Sequence, residues 1–524
     1  MMRQILLIAV IACGITVQKE SSSKKEPSIA VIGAGTAGLS AARRLTELGL
    51  TDVDIYEGST RIGGRIHPIP YYNGYLQMGA QFINGNDNPI YDIAKEAGVV
   101  EQNLLPDTAQ FTNAEFLTGN QEINREDIEL FKEFVTPLYT KYRNLAKNHD
   151  LLSRVYTFKT IFMEDYNWFL KKNNIDGERK KLMEALIRPY RTFWEFEWGG
   201  NWEDLSARVL AEFNQVSSEG DSYTTDHIGF KAIIDKIAEG IPEEFFKFNR
   251  TVLNINYGKD GVYIKTKELG EIEKRYDYVI VTSSLGHLKK FHKTLFTPSL
   301  PRQKVEAIEK IGFGGNCKIF FRWDKPFWKN GTNYISLLPI EGASRPTVDP
   351  FEKEMNTLEV LSWQPNTLMA FIAGAGHPLM DSMTDEEISM RITKLVRDMT
   401  SDQTIEPPSE IIRTKLTKND LLLGSYSYFS AAQAKAGISH SRLAIPIKVN
   451  RRPRVLFAGE ATHHRLFQTT VGAYLSGRRE ADRISTDIEK KDEKIKAVID
   501  MDNCLYCKSS ISIDNVNKSF VTLT

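Results

Sequence analysis

The chain has 524 residues, with 67 lysines and arginines balancing 67 aspartates and glutamates, and only four cysteines. Such a length exceeds one ordinary core and implies at least two packed units. Balanced charge removes any global field that would gather nucleic acid or an anionic membrane, and so few cysteines exclude a disulfide scaffold.

The chain opens on "MMRQILLIAVIACGITVQKE", with a basic Arg3, an apolar run from Ile5 to Ile15 and small residues at Ala12 and Gly14. This layout predicts a secretory signal peptide over residues 1–20 and a secreted, extracellular product. The run is shorter than the roughly 20 residues a membrane span needs, so no stable membrane insertion is expected. N-x-S/T triplets at Asn249, Asn330 and Asn517 fit a glycoprotein.

After a polar linker, "SIAVIGAGTAGLSAARRLTELGL" reads as a buried strand, a glycine turn and an amphipathic helix, and "DVDIYEG" supplies the next strand. The unit is βαβ with a parallel sheet, which sets an α/β fold class. Gly33, Gly35 and Gly38 form G-x-G-x-x-G at the strand-to-helix turn, where backbone can approach a pyrophosphate seated on the helix N-terminus. Glu57 ends the second strand, placed for ribose hydroxyls. In "EGSTRIGGRI", Arg61 and Arg65 flank Gly63 and Gly64; Arg65 suits a phosphate contact, whereas Arg61 reads as a solvated surface residue. A pyrophosphate wrapped by two segments suits a permanently held flavin better than a nicotinamide that must leave.

The middle of the chain is helical. Ile128, Phe131, Val135, Leu138, Tyr142 and Leu145 make a core stripe, and Pro137 inside it predicts a kink or a break. In "FWEFEWGGNWEDLS", Glu195 and Glu197 admit two readings of equal standing, negative charge for a cationic amine or a solvated strand face. Strands return with "TVLNINY", "YDYVIVTSS" and "FGGNCKIFFRW"; in the last, period two places Lys318 with Phe320 and Arg322, opposite Cys317, Ile319, Phe321 and Trp323. By itself Lys318 reads as an edge lysine reaching for water. The strand "RVLFAGE" leads through a loop holding His463 and His464, which have no companion metal ligands, to the closing helix "GAYLSGRREADRI". Beyond Glu489 the tail is charged, then polar, and Cys504 and Cys507 there form a local disulfide or stand as idle thiols.

With "EGSTRIGGRI", the segment Gly286 to Trp328 and "VLFAGEATHHRLFQTTVGAYLSGRREADRI" in this order, the chain resembles the flavin-containing amine oxidases from Ile29 to Ile484. It is most similar to the branch of spermine oxidase and acetylpolyamine oxidase. The resemblance implies a Rossmann-like FAD-binding domain assembled from residues 28–85, 221–290 and 448–488, with an inserted α+β substrate-binding domain from 86–220 and 291–447 and a polar tail over 489–524. It implies non-covalent FAD, since no cysteine stands in "GSYSY", held by Gly33, Gly35, Gly38, Glu57, Arg65, Gly79, Ala80, Val252, Glu460, Thr470 and Val471.

Lys318 falls where the family carries a lysine that holds a water at flavin N5, and Tyr426 and Phe467 match two aromatic residues that flank the amine. The implied partners are a small-molecule amine and O2, with aldehyde, a smaller amine and hydrogen peroxide as products. Several positions depart from the pattern: Asn84 stands where histidine is usual, Phe82 and Leu416 where tryptophan is, Ser284 where proline is, and Val471 where histidine is. These changes are expected around the substrate, leaving FAD contacts intact. The rivals are a flavin oxidase of another amine or amino acid, for which no arginine is evident, and a catalytically silent extracellular flavoprotein.

Overall fold

The computed structural model describes residues 26–104, 114–213, 222–268, 272–342 and 345–503. The leader over 1–20, the third sequon at Asn517 and the Cys504/Cys507 pair lie outside them. A six-stranded sheet runs in the order Ile447–Val449, Arg452–Phe457, Tyr278–Val281, Ile29–Ile32, Val53–Tyr56, Phe246–Lys247. All neighbours are parallel except the first pair. Strands Ile29–Ile32 and Tyr278–Val281 are buried along their whole length because both faces are covered. Ile29, Val31, Ile55 and Ile280 point into one core, while Ala30, Ile32, Tyr56 and Val281 point into another. The sheet thus draws strands from the beginning, middle and end of the chain.

The helix Thr36–Glu47 packs along the first part of the last helix, Thr470–Asn503. Contact is close because the facing residues are small: Ser40 Oγ donates to the carbonyl of Tyr474 at 2.7 Å, and a Cβ added to Gly477 would lie 2.1 Å from the Ala37 carbonyl oxygen. Both helices therefore begin side by side. The closing helix is longer than the motif "GAYLSGRREADRI" indicates: it continues to Asn503 through a stretch that holds the helix formers Glu489, Lys490, Lys491, Glu493, Lys494 and Lys496 and no proline or glycine.

A second sheet, of mostly antiparallel strands, runs Glu410–Arg413, Asn316–Arg322, Gln364–Ala373, Thr357–Leu361, Tyr334–Leu337, Ala114–Leu117. Cys317, Ile319, Phe321 and Trp323 pack on one face against Ile388, Ile392 and Val396 of helix Asp385–Thr400. The other face carries Lys318 and Phe320, as the period-two pattern requires. The helical region packs separately around Phe131, Tyr142, Phe162 and Tyr190. Pro137 does break its helix, into Arg125–Val135 and Leu138–Asn148.

Replacing Gly477 with valine should drive the two helices apart. Overpacking of this kind costs about 1–3 kcal/mol, and thermal unfolding of the purified protein should show a lowered midpoint together with reduced flavin content. An unchanged midpoint and full flavin content would mean that the helices tolerate the added volume.

Candidate active site

A cavity of about 790 Å³ lies between the two sheets. Its lining includes Gly33, Glu57, Thr282 and Gly459, which follow the ends of four adjacent parallel strands. Open α/β sheets bind ligands at this carboxyl edge. Helix Thr36–Glu47 starts there with Gly35 at its N-cap and no side-chain cap, leaving its first N–H groups to a ligand. Gly38 keeps the turn tight, because a Cβ there would lie 1.9 Å from the Gly33 carbonyl oxygen. Glu57 borders the same space, held by the Ala34 N–H at 2.8 Å and by the Ser59 N–H and hydroxyl at 2.8 and 2.7 Å. Its two oxygens keep spare lone pairs for hydroxyls. An uncapped helix start, a glycine cradle and a fixed carboxylate fit a dinucleotide with its pyrophosphate on the helix.

The arginines of "RIGGR" divide the work. Arg61 is not a solvated residue: its guanidinium donates to the carbonyls of Ile62, Gly64 and Ile66 at 3.0, 2.8 and 3.1 Å and so knots the glycine loop. Arg65 donates from Nη1 to the Ser425 carbonyl at 2.7 Å and to Glu460 at 2.9 Å. Glu460, 4% exposed, also accepts from the Ser427 hydroxyl at 2.6 Å and the Gln468 N–H at 2.7 Å. Arg65, Glu460, Val252 and Thr470 all line the cavity. Val471 does not; its side chain is fully buried in the core beneath the closing helix, because the helix start turns only Thr470 and Ala473 to the cavity.

Gly79 and Ala80 line the cavity, and the Ala80 N–H donates to the Arg65 carbonyl at 3.3 Å. The carbonyl of Gly79 accepts from Lys318 Nζ at 2.5 Å; that ammonium also donates to the Gln77 carbonyl at 2.8 Å and to Gln81 Oε1. Lys318 is therefore no edge lysine: it is 1% exposed and points inward, just behind the segment that walls the cavity. Its three N–H donors meet three protein oxygens, of which only the Gln81 oxygen sits on a rotatable side chain. Burial pushes the Lys318 ammonium down to about 7, against the attraction of Glu359.

Tyr426 lines the cavity, its hydroxyl donating to the Phe196 carbonyl. Phe467 does not face it. It is fully buried, stacked on His440 with centroids 3.9 Å apart and planes 7° from parallel. The next residue, Gln468, takes a left-handed φ of 62° and lines the cavity in its place, its Nε2 donating to the Glu197 carbonyl at 2.9 Å. Two aromatic residues that do line the cavity, Phe196 and Phe371, have centroids 4.2 Å apart.

Glu195 and Glu197 separate. Both lie on the helix Gly177–Trp198, not a strand. Glu195 is fully buried, accepts from the Trp202 N–H at 3.2 Å and faces Arg191; burial lifts its carboxyl to about 7. It joins the helix end to neighbouring loops and does not line the cavity. Glu197 does. Of the substituted positions, Phe82, Asn84, Ser284 and Leu416 border the cavity while Val471 does not. Ser284 has its own structural reason, capping helix Leu285–Leu295 by accepting the His287 N–H at 3.0 Å. His463 Nδ1 accepts the Leu466 N–H at 3.0 Å and closes a turn.

Three charged lining residues were missed from sequence, Arg143 on helix Leu138–Asn148, Arg250 two residues before strand Val252–Tyr257 and Glu359 on strand Thr357–Leu361. The alternation in "TLEVL", with Leu358 in the core behind the sheet, was the available signal for Glu359. Arg143 carries no comparable mark. Cys317, the only free cysteine among the described residues, is buried on the sheet face away from the cavity.

Comparison with known proteins agrees with this geometry. A family model described as flavin containing amine oxidoreductase matches residues 36–485. A peroxisomal N(1)-acetyl-spermine/spermidine oxidase of Bos taurus is 29% identical over 491 residues, covering 88% of this chain and 95% of its own. A probable polyamine oxidase 5 of Arabidopsis thaliana is 27% identical, covering 88% and 98%. Among solved structures, cyclohexylamine oxidase from Brevibacterium oxydans superposes with a TM-score of 0.64 at 17% identity, over 88% of this chain and all of that one, a likeness of fold. The chain belongs to the flavin containing amine oxidoreductase family and is an FAD-dependent amine oxidase.

Proposed function

We infer that the chain is a secreted oxidase of a polyamine-like amine. The observation that carries this reading is a cavity walled by aromatic residues, with Tyr426, Phe196 and Phe371 beside the buried Lys318 and with Glu197 and Glu359 as acidic liners. FAD would be held by the Gly33–Gly38 turn, Glu57, Arg65, Val252, Glu460 and Thr470. When bound it supplies a two-electron acceptor for the hydride of the carbon beside the amine nitrogen, restored by O2 with release of hydrogen peroxide.

The residues of the chain prepare that chemistry. An apolar, ring-lined wall disfavours the ammonium form of the reacting amine, which must be neutral to lose hydride. The ring of Tyr426, fixed by its hydroxyl on the helix backbone, keeps water from the reacting carbon. Lys318 donates to the Gly79 carbonyl, and rotation of Gln81 frees one N–H to hold a water at the cavity wall. Water converts the resulting imine to an aldehyde and a smaller amine, so amine, O2 and water balance aldehyde, amine and hydrogen peroxide.

A second reading has one specific support. Arg143 lines the same cavity and would suit a carboxylate, as on an amino acid. Amine and amino acid panels separate the two.

Three outcomes are expected. Spermine or N-acetylspermine should bleach the yellow holoenzyme anaerobically; persistent yellow colour with every polyamine tried would remove the polyamine reading, and bleaching by amino acids alone would favour the second. Lys318→Met should stay folded and yellow yet slow flavin reduction or reoxidation about 100-fold, the scale of losing one charged donor at a reacting centre. Unchanged turnover would leave Lys318 a structural pin. The sequons at Asn249 and Asn330 are exposed, so protein secreted from eukaryotic cells should gain mobility after treatment with an N-glycosidase. No shift would count against passage through the secretory route.

A further inference from the structure

Glu359 occupies an unusual place on the cavity wall. It pairs across the sheet with Tyr334 on one side and Met369 on the other, and Met369 in turn pairs with Phe320. Tyr334, Met369, Phe371 and Glu359 all face the cavity. In this apolar setting the carboxylate has no hydrogen bond or ion pair among the described residues; the field of Lys318 is its main electrostatic compensation. Glu359 stands two strands and two residues from Lys318, about 12 Å between backbones, so the charges sense each other without pairing.

A carboxylate on an apolar wall is costly unless something satisfies it. Burial shifts the Glu359 acid up to about 7, while Lys318 favours the ionised form. A second cation within hydrogen-bond reach would resolve this conflict. An oxidase for uncharged or singly charged amines gains nothing from the group, because its one nitrogen must be neutral at the point of reaction.

We propose that Glu359 binds the ammonium of the substrate nitrogen that is not oxidised, so that the cavity selects amines carrying a second cationic centre. This rests on the polyamine-like reading above. It assigns selectivity to a strand residue on the wall shared with Lys318, and it gives the substrate a direction, with one nitrogen at Glu359 and the other left to the reacting end of the cavity.

The test compares the FAD-loaded wild type with Glu359→Gln and Glu359→Asp, using spermine, N-acetylspermine and a monoamine of similar length. In Glu359→Gln the ratio of kcat/KM for the polyamines to that for the monoamine should fall at least 10-fold, mainly through KM, and Glu359→Asp should recover part of it. An unchanged ratio overturns the proposal. In parallel, 1,8-diaminooctane is titrated anaerobically into each holoenzyme while the flavin spectrum and any bleaching are followed. If the wild type oxidises no polyamine but binds the diamine, and Glu359→Gln weakens that binding at least 10-fold, the polyamine reading fails and the anchor stands. Equal binding by both forms, or binding by neither, overturns the anchor. A Glu359→Gln protein that lacks flavin is replaced by Glu359→Asp, for which an unchanged ratio and unchanged diamine binding count against the proposal.

Discussion

The ion pair between Arg65 and Glu460 joins residues 395 positions apart and fixes the shape of the site. Removing a carboxylate and a guanidinium from water is expensive, and the pair succeeds only because its remaining capacity is filled. Ser425, Ser427 and Gln468 supply those bonds. The arrangement ties the loop after the second parallel strand to the second unit and to the loop before the last helix. It therefore sets where the cavity closes. The close contact of the first and last helices does the same on the other side, placing two helix starts beside one another at the edge of the sheet.

From that frame the electrostatic character of the cavity follows. Its sheet edge offers backbone N–H groups and Arg65, which suit the phosphates of FAD. The antiparallel sheet offers rings, a methionine and one carboxylate, with the Lys318 amine sealed behind the Gly79–Gln81 segment. The Gly79 carbonyl is the link between the two regions, because it accepts from Lys318 while its neighbour Ala80 donates to the Arg65 carbonyl. A change at either cation is felt through the same stretch of backbone.

What was legible in sequence had a short physical range. The glycine turn and the buried strands follow from local periodicity and close-approach chemistry, and the structure has them where those patterns put them. Lys318 does not, since period two alone makes it an edge lysine and only the family resemblance turns it inward. The roles of Phe467 and Gln468 were not legible, because one left-handed residue decides which of two neighbours meets the cavity. Sequence left Glu195 open between charge for an amine and a solvated strand face, and it is neither: it lies near the end of a helix, buried against Arg191 and the Trp202 N–H. Glu359 required knowing which face of its strand looks inward. Arg143 required knowing how the helical region docks.

The central claim is that this cavity oxidises the carbon beside an amine nitrogen, and the aldehyde product tests it most directly. Mass spectrometry of the reaction with spermine should find one aldehyde, an amine fragment that completes the carbon skeleton, and one equivalent of hydrogen peroxide. Aldehyde length then identifies the oxidised carbon. Substrate consumed without any aldehyde, or recovered whole in the presence of O2 and loaded flavin, would contradict the account.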